Sequence, residues 1–548
     1  MARTVKVGII GSGLAGLTAA YMLSSHSSEE VIFEVHIFEK SSTLGMDSSS
    51  ISLPVPAQRR EWRIDVPMRS FQGGYYKQLM SLYKHIGISF KKTDFSYSFS
   101  RLLPRRDTCA RKITAALIYN GSSGTAGIGM PSSLSSLRKD QVESLVPSMA
   151  LQLYTYCVFA IMCARLLILY IRILLLSIPI FRPHHVQVMT FRAWSELTVP
   201  RGTIARWTML DIAWINFTRS VLVPLFSAVC TAPESSVYEH PVEEFLETDY
   251  IWLTLGFHHF VAMNGVQEVV GKLVANVQNI HLSSPVTRIE SNHNDTSISS
   301  IHVSTSGGPR VFAGFHHLIF ATQANGAAPL LESFISSLPP EAHSKRCAVE
   351  DQVACLRQFK YCSNLVINHT DPSLMPDDWR DERDLNLIYI EDDSFKVAAG
   401  EKASSSRRVP STFTMATHVL TPPPGYPSHL PTVYQTTNPI EEPRESRILS
   451  VSTMERAVLT IQSKRALQGL NVEHGRMFWQ SAGQGKSRLG PLQGARPFKE
   501  LAHTPGIWIC GSFAYSGIPL LEGCVVSAKN VVAQGIWKSE GVIGHIPW

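Results

Sequence analysis

Hydrophobic residues are grouped along this chain in two patterns, and the first of them opens it. Val5 to Ile10 is a run of mostly β-branched side chains, the composition of a strand buried on both faces. Gly11-Ser12-Gly13-Leu14-Ala15-Gly16 follows, then an apolar stretch of helix formers from Leu17 to Leu23, a polar turn from Ser24 to Glu30, and a second strand from Val31 to Phe38. Strand, glycine turn, helix and strand in that order predict the start of a parallel α/β unit. The second pattern is an almost continuous apolar run from Met149 to Phe181, interrupted by Arg165 and Arg172 and long enough to score as a membrane span. Between and beyond these, Glu401 to Pro410 and the proline-rich Thr421 to Pro431 read as exposed loops.

The glycine turn has the spacing of a dinucleotide site. Gly11 permits the tight turn, Gly13 lets the backbone approach a pyrophosphate, and Gly16, with Ala20 one turn on, lets helix and strand pack closely. The amides of the helix start, around Ala15, together with the helix dipole would hold two phosphate charges without a cation. Glu39 ends the second strand, with Lys40 beside it, where a carboxylate accepts hydrogen bonds from ribose hydroxyls and repels a 2′-phosphate. A basic start before an apolar stretch, Arg3 to Leu23, superficially resembles a secretory signal, but these glycines argue for a folded site.

The same machinery binds NAD or FAD, and the far end of the chain separates them. Gly506-Ile507-Trp508-Ile509-Cys510-Gly511-Ser512 reads as a buried strand ending in a glycine turn, and Leu521-Glu522-Gly523-Cys524-Val525-Val526-Ser527-Ala528-Lys529 opens a terminal helix. This pair resembles the closing FAD motif of the flavin-containing amine oxidase superfamily. The resemblance implies FAD, with Gly511 and Ser512 at its phosphate and ribitol region and Glu522-Gly523 starting a helix aimed at the flavin ring. It is closest to the predicted NAD/FAD-binding oxidoreductases related to amine oxidases and phytoene-type desaturases. Ile64-Asp65-Val66 with Tyr75, His258-His259 to Leu273, Tyr361, Asn364, His369-Thr370-Asp371-Pro372-Ser373-Leu374-Met375-Pro376 and Thr437-Asn438-Pro439 carry that likeness. Pro285-Val286-Thr287-Arg288-Ile289 resembles the strand whose valine, here Val286, meets the adenine through its backbone, and Leu318 to Gln323 resembles the crossing back to the substrate domain. Two positions depart from the pattern: Ser512 stands where an acid is usual, and Gly45-Met46 where paired glycines are common.

The implied architecture is a discontinuous Rossmann-like FAD-binding domain from residues 1–75, 260–330 and 480–548. A mixed α+β substrate domain of the amine oxidase type would come from 76–259 and 331–479. A length of 548 residues suits two or more such units. With 44% apolar and 17% charged residues the chain is expected to fold, and a net charge of +6 without a dense basic run gives no nucleic-acid footprint. The nine cysteines, Cys109 among them, show no CxxC spacing, so reduced thiols in a cytoplasmic protein are expected, with no metal site. Four N-x-S/T triplets, at Asn120, Asn216, Asn294 and Asn368, are what a Ser/Thr-rich chain produces by accident.

Flavin chemistry resides at ring atom N5, so the protein mainly orients a C–H bond and excludes water. Lys360 falls in the segment where many amine oxidases keep a lysine near N5, but the closer family commonly has arginine there, so a surface or packing role is the better reading. His258, His259 and His369 are polar groups in family-like segments, more often structural than catalytic; His184-His185 and His316-His317 lack a third metal ligand. The apolar run cannot cross a bilayer an odd number of times if Gly11 and Gly511 share one domain. It is then a buried helix, a stretch lying in one leaflet with Arg165 and Arg172 on a wet face, or half of a hairpin. The expected function is an FAD-dependent dehydrogenation or desaturation of a hydrophobic substrate such as a lipid or polyene. The alternatives are an amine oxidase releasing imine and hydrogen peroxide, and a non-catalytic flavin-binding membrane protein.

Overall fold

The computed structural model describes residues 2–26, 30–55, 61–103, 111–121, 126–135, 148–246, 257–292, 295–390, 407–474, 486–494 and 506–548. Cys109, Asn294 and residues 401–406 of the serine-rich loop lie outside them. The strand β1 (Arg3–Ile10) is followed by helix α1 (Leu14–Ser24) and strand β2 (Val31–Phe38), and β1 and β2 pair in parallel along their full length. Three short strands complete the sheet: β3 (Asn279–His281), β4 (His317–Phe320) and β5 (Ile507–Ile509), in the parallel order β3-β2-β1-β4-β5. This is the nucleotide-binding arrangement, with β1 at the point where the strand order reverses.

The apolar run of β1 is explained by burial on both faces. Val5, Val7 and Ile9 enter a core shared with α1, helix α2 (Lys77–His85) and the C-terminal helix α5 (Leu521–Asn530), all fully or nearly fully buried. Ile10 faces a second core with Ile301, Phe315 and Phe334, and a Cβ on Gly8 would meet Ile301 Cδ1 at 2.7 Å. That second core is roofed by an antiparallel sheet of Val286–Ser291, Ser299–Thr305 and Gly308–Phe315 and by the helix Ala324–Ser337. Leu79, Leu82, Tyr83 and Ile88 sit in the first core, so the cofactor domain runs beyond residue 75 and through α2.

The other sheet has eight strands, in the order Ile448–Val458, Lys360–His369, Tyr434–Thr437, Met415–Val419, Leu385–Tyr389, Tyr97–Leu103, Lys112–Tyr119 and Ile128–Gly129. All its pairs are antiparallel except Leu385–Tyr389 with Tyr97–Leu103. A chain of buried polar side chains runs through it. Asn438 donates to Asn364 at 2.8 Å, Gln435 to Asn368 at 3.0 Å, and the Thr417 and Thr436 hydroxyls lie 2.9 Å apart. His369 belongs to this chain. Its Nδ1 accepts from the Asp371 amide at 3.1 Å, which leaves the proton on Nε2 to be donated to Thr436 Oγ1 at 2.7 Å. Burial presses its pKa down to about 4, so it is a neutral, structural histidine.

The long apolar run forms helix α3 (Ser148–Ser177), and a second apolar helix, α4 (Leu210–Cys230), packs against it. Arg172 does not face water as the seven-residue spacing suggested. It donates to the Thr198 carbonyl at 2.6 Å and lies 5.2 Å from the Trp214 ring centre, on the protein side of α3. The outward side carries Met149, Leu153, Tyr156, Leu167 and Ile171, all exposed.

Two glycines test these packing statements. A Cβ on Gly535 would lie 2.4 Å from Trp508 Cζ3, and the indole is fully buried. Gly535→Ala is expected to cost about 1–3 kcal/mol by overpacking. On the helix Gly265–Leu273, a Cβ on Gly271 meets nothing, so Gly271→Ala is expected to add about 0.5–1 kcal/mol. Urea unfolding of the two variants beside the parent protein checks both signs.

Candidate cofactor site

The site lies at the carboxyl edge of the parallel sheet, where β1 and β5 end. Gly11 has a φ of +98°, and its Cβ would stand 3.0 Å from the Ala321 carbonyl oxygen after β4. A Cβ on Gly16 would come 2.1 Å from the Gly11 carbonyl oxygen, whereas one on Gly13 would meet nothing within 4 Å. Gly11 and Gly16 therefore keep turn and helix in contact, and Gly13 fronts open space. Neither Gly13 nor Leu520, the residues that begin α1 and α5, caps its helix with a side chain.

Glu39 is buried at the end of β2. One oxygen accepts from the Ser12 amide at 3.0 Å and the Ser12 hydroxyl at 2.6 Å, the other from the Ser41 amide at 2.9 Å. Ser12 Oγ in turn accepts from the Gly45 amide at 2.7 Å, and a Cβ on Gly45 would fall 2.5 Å from the Ser12 carbonyl oxygen. Gly45 thus lies directly on the glycine turn, while Met46 turns away into the apolar core beneath it, which accommodates the departure at this pair. Lys40 is exposed beside Glu39. Val286 is half-buried in the strand that follows Ser284, whose amide donates to the Glu39 carbonyl at 2.8 Å.

The C-terminal turn meets the N-terminal one through α5. A Cβ on Gly523 would lie 2.7 Å from the Ser512 carbonyl oxygen, so only glycine lets α5 begin there. The Cys524 thiol, its pKa pushed up to about 11 by burial, lies against the backbone of both Ala15 and Ser512. Gly511 is held by Ser527, whose hydroxyl accepts from its amide and donates to its carbonyl, both at 3.0 Å. Glu522 has a use of its own. Its two oxygens accept from the Gln78 and Leu79 amides at 2.8 and 2.9 Å, capping α2, and burial pushes its pKa up to about 7.

Three residues outside the sequence expectations complete the site. Arg69 follows the extended segment at Ile64–Met68, and its Nε is buried with no hydrogen-bond partner. Burial, and then the like charge of Arg456, lower its pKa. Gln435 fixes this segment to the eight-stranded sheet, accepting from the Met68 amide at 2.6 Å and donating to the Asp65 carbonyl at 3.0 Å. The Asp65 carboxylate accepts from the Val266 amide at 3.2 Å. The one signal for Arg69 was a lone cation within an apolar extended stretch; Arg456 and Gln435 come from strands nearly 400 residues away. Lys360 is exposed at the first position of its strand, opposite Val458, and Tyr361 beside it accepts from the Ala324 amide at 2.6 Å. His258 contacts the Asp94 carboxylate at 2.9 Å, and burial lowers the pKa of its half-buried neighbour His259. A buried, unpartnered Arg69 Nε under the charge of a second arginine, with the open face of Gly13, fits an anionic dinucleotide.

Residues 9–86 match the family described as the NAD(P)-binding Rossmann-like domain, a stretch spanning the glycine turn, Glu39, Arg69 and α2. No curated protein is significantly similar to the chain. Among solved structures, an oxidoreductase from Methanosarcina mazei is similar with a TM-score of 0.49 and 14% identity, over 96% of this chain and 100% of that one. A putrescine oxidase with putrescine bound has a TM-score of 0.43 and 12% identity, over 97% and 100%.

Gly13→Ala is expected to change the stability of the nucleotide-free protein by about 1 kcal/mol or less while sharply reducing FAD uptake. Gly16→Ala is expected to lose about 3 kcal/mol as well. Denaturant unfolding and flavin absorbance per mole of protein separate the two. For Glu522, burial raises the folded pKa to about 7, above the ordinary carboxylate value of 4.5. Its stabilising effect is therefore fully present below about pH 4.5 and is lost as pH rises to about 7. Unfolding midpoints of the nucleotide-free protein should fall across that window, and Glu522→Gln should flatten the fall.

Proposed function

We propose that this chain is an FAD-dependent oxidoreductase that dehydrogenates or desaturates a hydrophobic organic substrate, working in contact with a membrane surface. The observation that carries the reading is the buried Arg69 Nε, without a hydrogen-bond partner and under the charge of Arg456, near the Cys524 junction where two distant glycine turns converge. Bound FAD would supply a hydride acceptor at ring atom N5. The chain's own residues would do the rest. The amides around Gly13 and the turn at Gly511 and Ser512 would bind phosphate and ribitol oxygens, the start of α5 would face the flavin ring, Glu39 and Lys40 would border the ribose side, and Val286 the adenine. Arg69 and Arg456 offset negative charge at the opposite end of the site.

Water exclusion has a structural support. Where α4 ends, a cavity of about 10 Å³ is lined by Cys230, Val237, Leu459, Ile518 and Arg456. It has room for about one water molecule. Burial pushes the Cys230 thiol up to about 12, so this wall is uncharged apart from the arginine. The apolar wall and the exposed apolar helix α3 favour a greasy substrate over a polar one, and α3 would be the membrane contact.

One observation favours the amine oxidase reading. Glu244 is buried, its Oε2 has no hydrogen-bond partner, and Gly517 and Tyr75 stand beside it, an arrangement that could receive a substrate ammonium. Its other oxygen is 3.1 Å from Lys464, which Glu243 also contacts.

The test is anaerobic. Purified protein is expected to show flavin absorbance that bleaches when lipid or polyene extracts are added, with no hydrogen peroxide formed from simple amines. Arg69→Met should lower flavin content at least tenfold, since a charged hydrogen bond contributes about 1.5–3 kcal/mol. Colourless protein that does not take up FAD would overturn the proposal. Bleaching by amines alone, with peroxide released in air, would transfer it to the second reading.

A further inference from the structure

The short helix Val242–Leu246 is buried at every residue, yet its second and third positions are acids, Glu243 and Glu244, 5% and 3% exposed. Val242, Phe245 and Leu246 belong to an apolar core with Leu169 and Ile173 of α3 and with Ile518. Carboxyl groups are rarely buried in such company unless something pairs with them. Lys464 reaches both: its ammonium contacts Glu243 and stands 3.1 Å from Glu244 Oε1. Burial lowers the pKa of Lys464, but the carboxylates of Glu244 and Glu243 outweigh it, so the ammonium keeps its charge.

The other oxygen of Glu244, Oε2, has no hydrogen-bond partner among the described residues. It borders Gly517, in the segment that leads from the Ser512 turn to the start of α5. That glycine has a φ of +94°, and a Cβ on it would lie 3.1 Å from the Tyr75 hydroxyl and 3.9 Å from Glu244 Oε2. The absent side chain thus leaves room for one small group beside both oxygens. Burial raises the pKa of Glu244, and the charges of Glu243 and Glu473 add to the rise against the pull of Lys464. A proton on Oε2 removes an uncompensated charge and turns the atom into a donor, which is itself costly until an acceptor meets it.

We propose that Glu244 keeps its proton on Oε2 and donates it in a hydrogen bond to a carbonyl or hydroxyl oxygen of the substrate, which is then an apolar molecule with one oxygen-bearing end. This inference rests on the function proposed above, in which the start of α5 faces the flavin ring. The chemistry of the donor selects the substrate. A pure hydrocarbon would leave the acid unmet in an apolar core, and an ammonium, which only donates, would first have to expel the proton. A carboxylic acid kept neutral by an apolar site is a known way to hold a substrate oxygen.

Full-length protein supplied with FAD is titrated in a calorimeter with 2-decanone, whose oxygen only accepts, and separately with decylamine. Glu244→Gln, whose amide still donates, should bind the ketone within about twofold of the parent, and Glu244→Met, which cannot donate, about fivefold more weakly, the effect of one neutral hydrogen bond. Ketone affinity of the parent should fall as pH rises through the titration of Glu244, and that of Glu244→Gln should stay level. Should Glu244→Met unfold, these two pH profiles carry the test. No ketone binding, or equal ketone affinity in the parent and Glu244→Met, would overturn the proposal. Decylamine bound more tightly than the ketone and lost in Glu244→Gln would also overturn it, in favour of an ionised carboxylate. The expected ketone pattern in protein that takes up no flavin would uphold the oxygen site and sink only the enzymatic reading. Flavin bleached by lipid extracts without that pattern would do the reverse.

Discussion

The whole arrangement depends on one contact between parts of the chain more than 500 residues apart, the seating of α5 on the start of α1. Gly523 allows it, since any larger residue would strike the Ser512 carbonyl, and Cys524 fills the junction between Ala15 and Ser512. Once α5 is seated, Glu522 reaches the amides of α2, and α2 in turn packs Leu79 and Leu82 into the core under β1. The two glycine turns and the segment bearing Arg69 are thereby held to one rigid frame. Burial at this junction pushes the Glu522 carboxyl up to about 7.

The Rossmann-like domain was readable because every local rule agreed there. A doubly buried strand is apolar at every position, a turn at φ of +98° requires glycine, and a helix on the sheet requires small residues, so composition and geometry coincide at Val5 to Gly16. The rest of the site follows no such local rule. Arg69, Gln435 and Arg456 meet only after the sheet of the second domain folds, and nothing in their own neighbourhoods marks them. Glu522 was placed at the cofactor by its match to the closing FAD motif, and the bonds of its carboxylate to the start of α2 carry no signal in its own neighbourhood. The orientation of Arg172 was misread for a related reason: spacing tells which residues share a face, and only tertiary packing tells where that face points.

The eight-stranded sheet explains why a segment rich in polar residues, Tyr361 to Pro376, can be buried. Asn364, Asn368, His369 and Asp371 each find partners across the strands, so the cost of burying them is offset and their pairing admits one register. This rigidity is transmitted to the cofactor side through Gln435, which belongs to the same network and holds the backbone on either side of Pro67. His369, one of three histidines in family-like segments, is thus part of the scaffold to which the Arg69 segment is fixed.

The strand order also bears on biosynthesis. Because β5 pairs beside β4 although almost 190 residues separate them, the sheet stays one strand short until that whole stretch has been made. During that interval the apolar helices α3 and α4 have long since emerged. A nascent chain therefore carries two exposed apolar helices before its parallel sheet can close, so the order of synthesis leaves them uncovered for longer than the strands they follow.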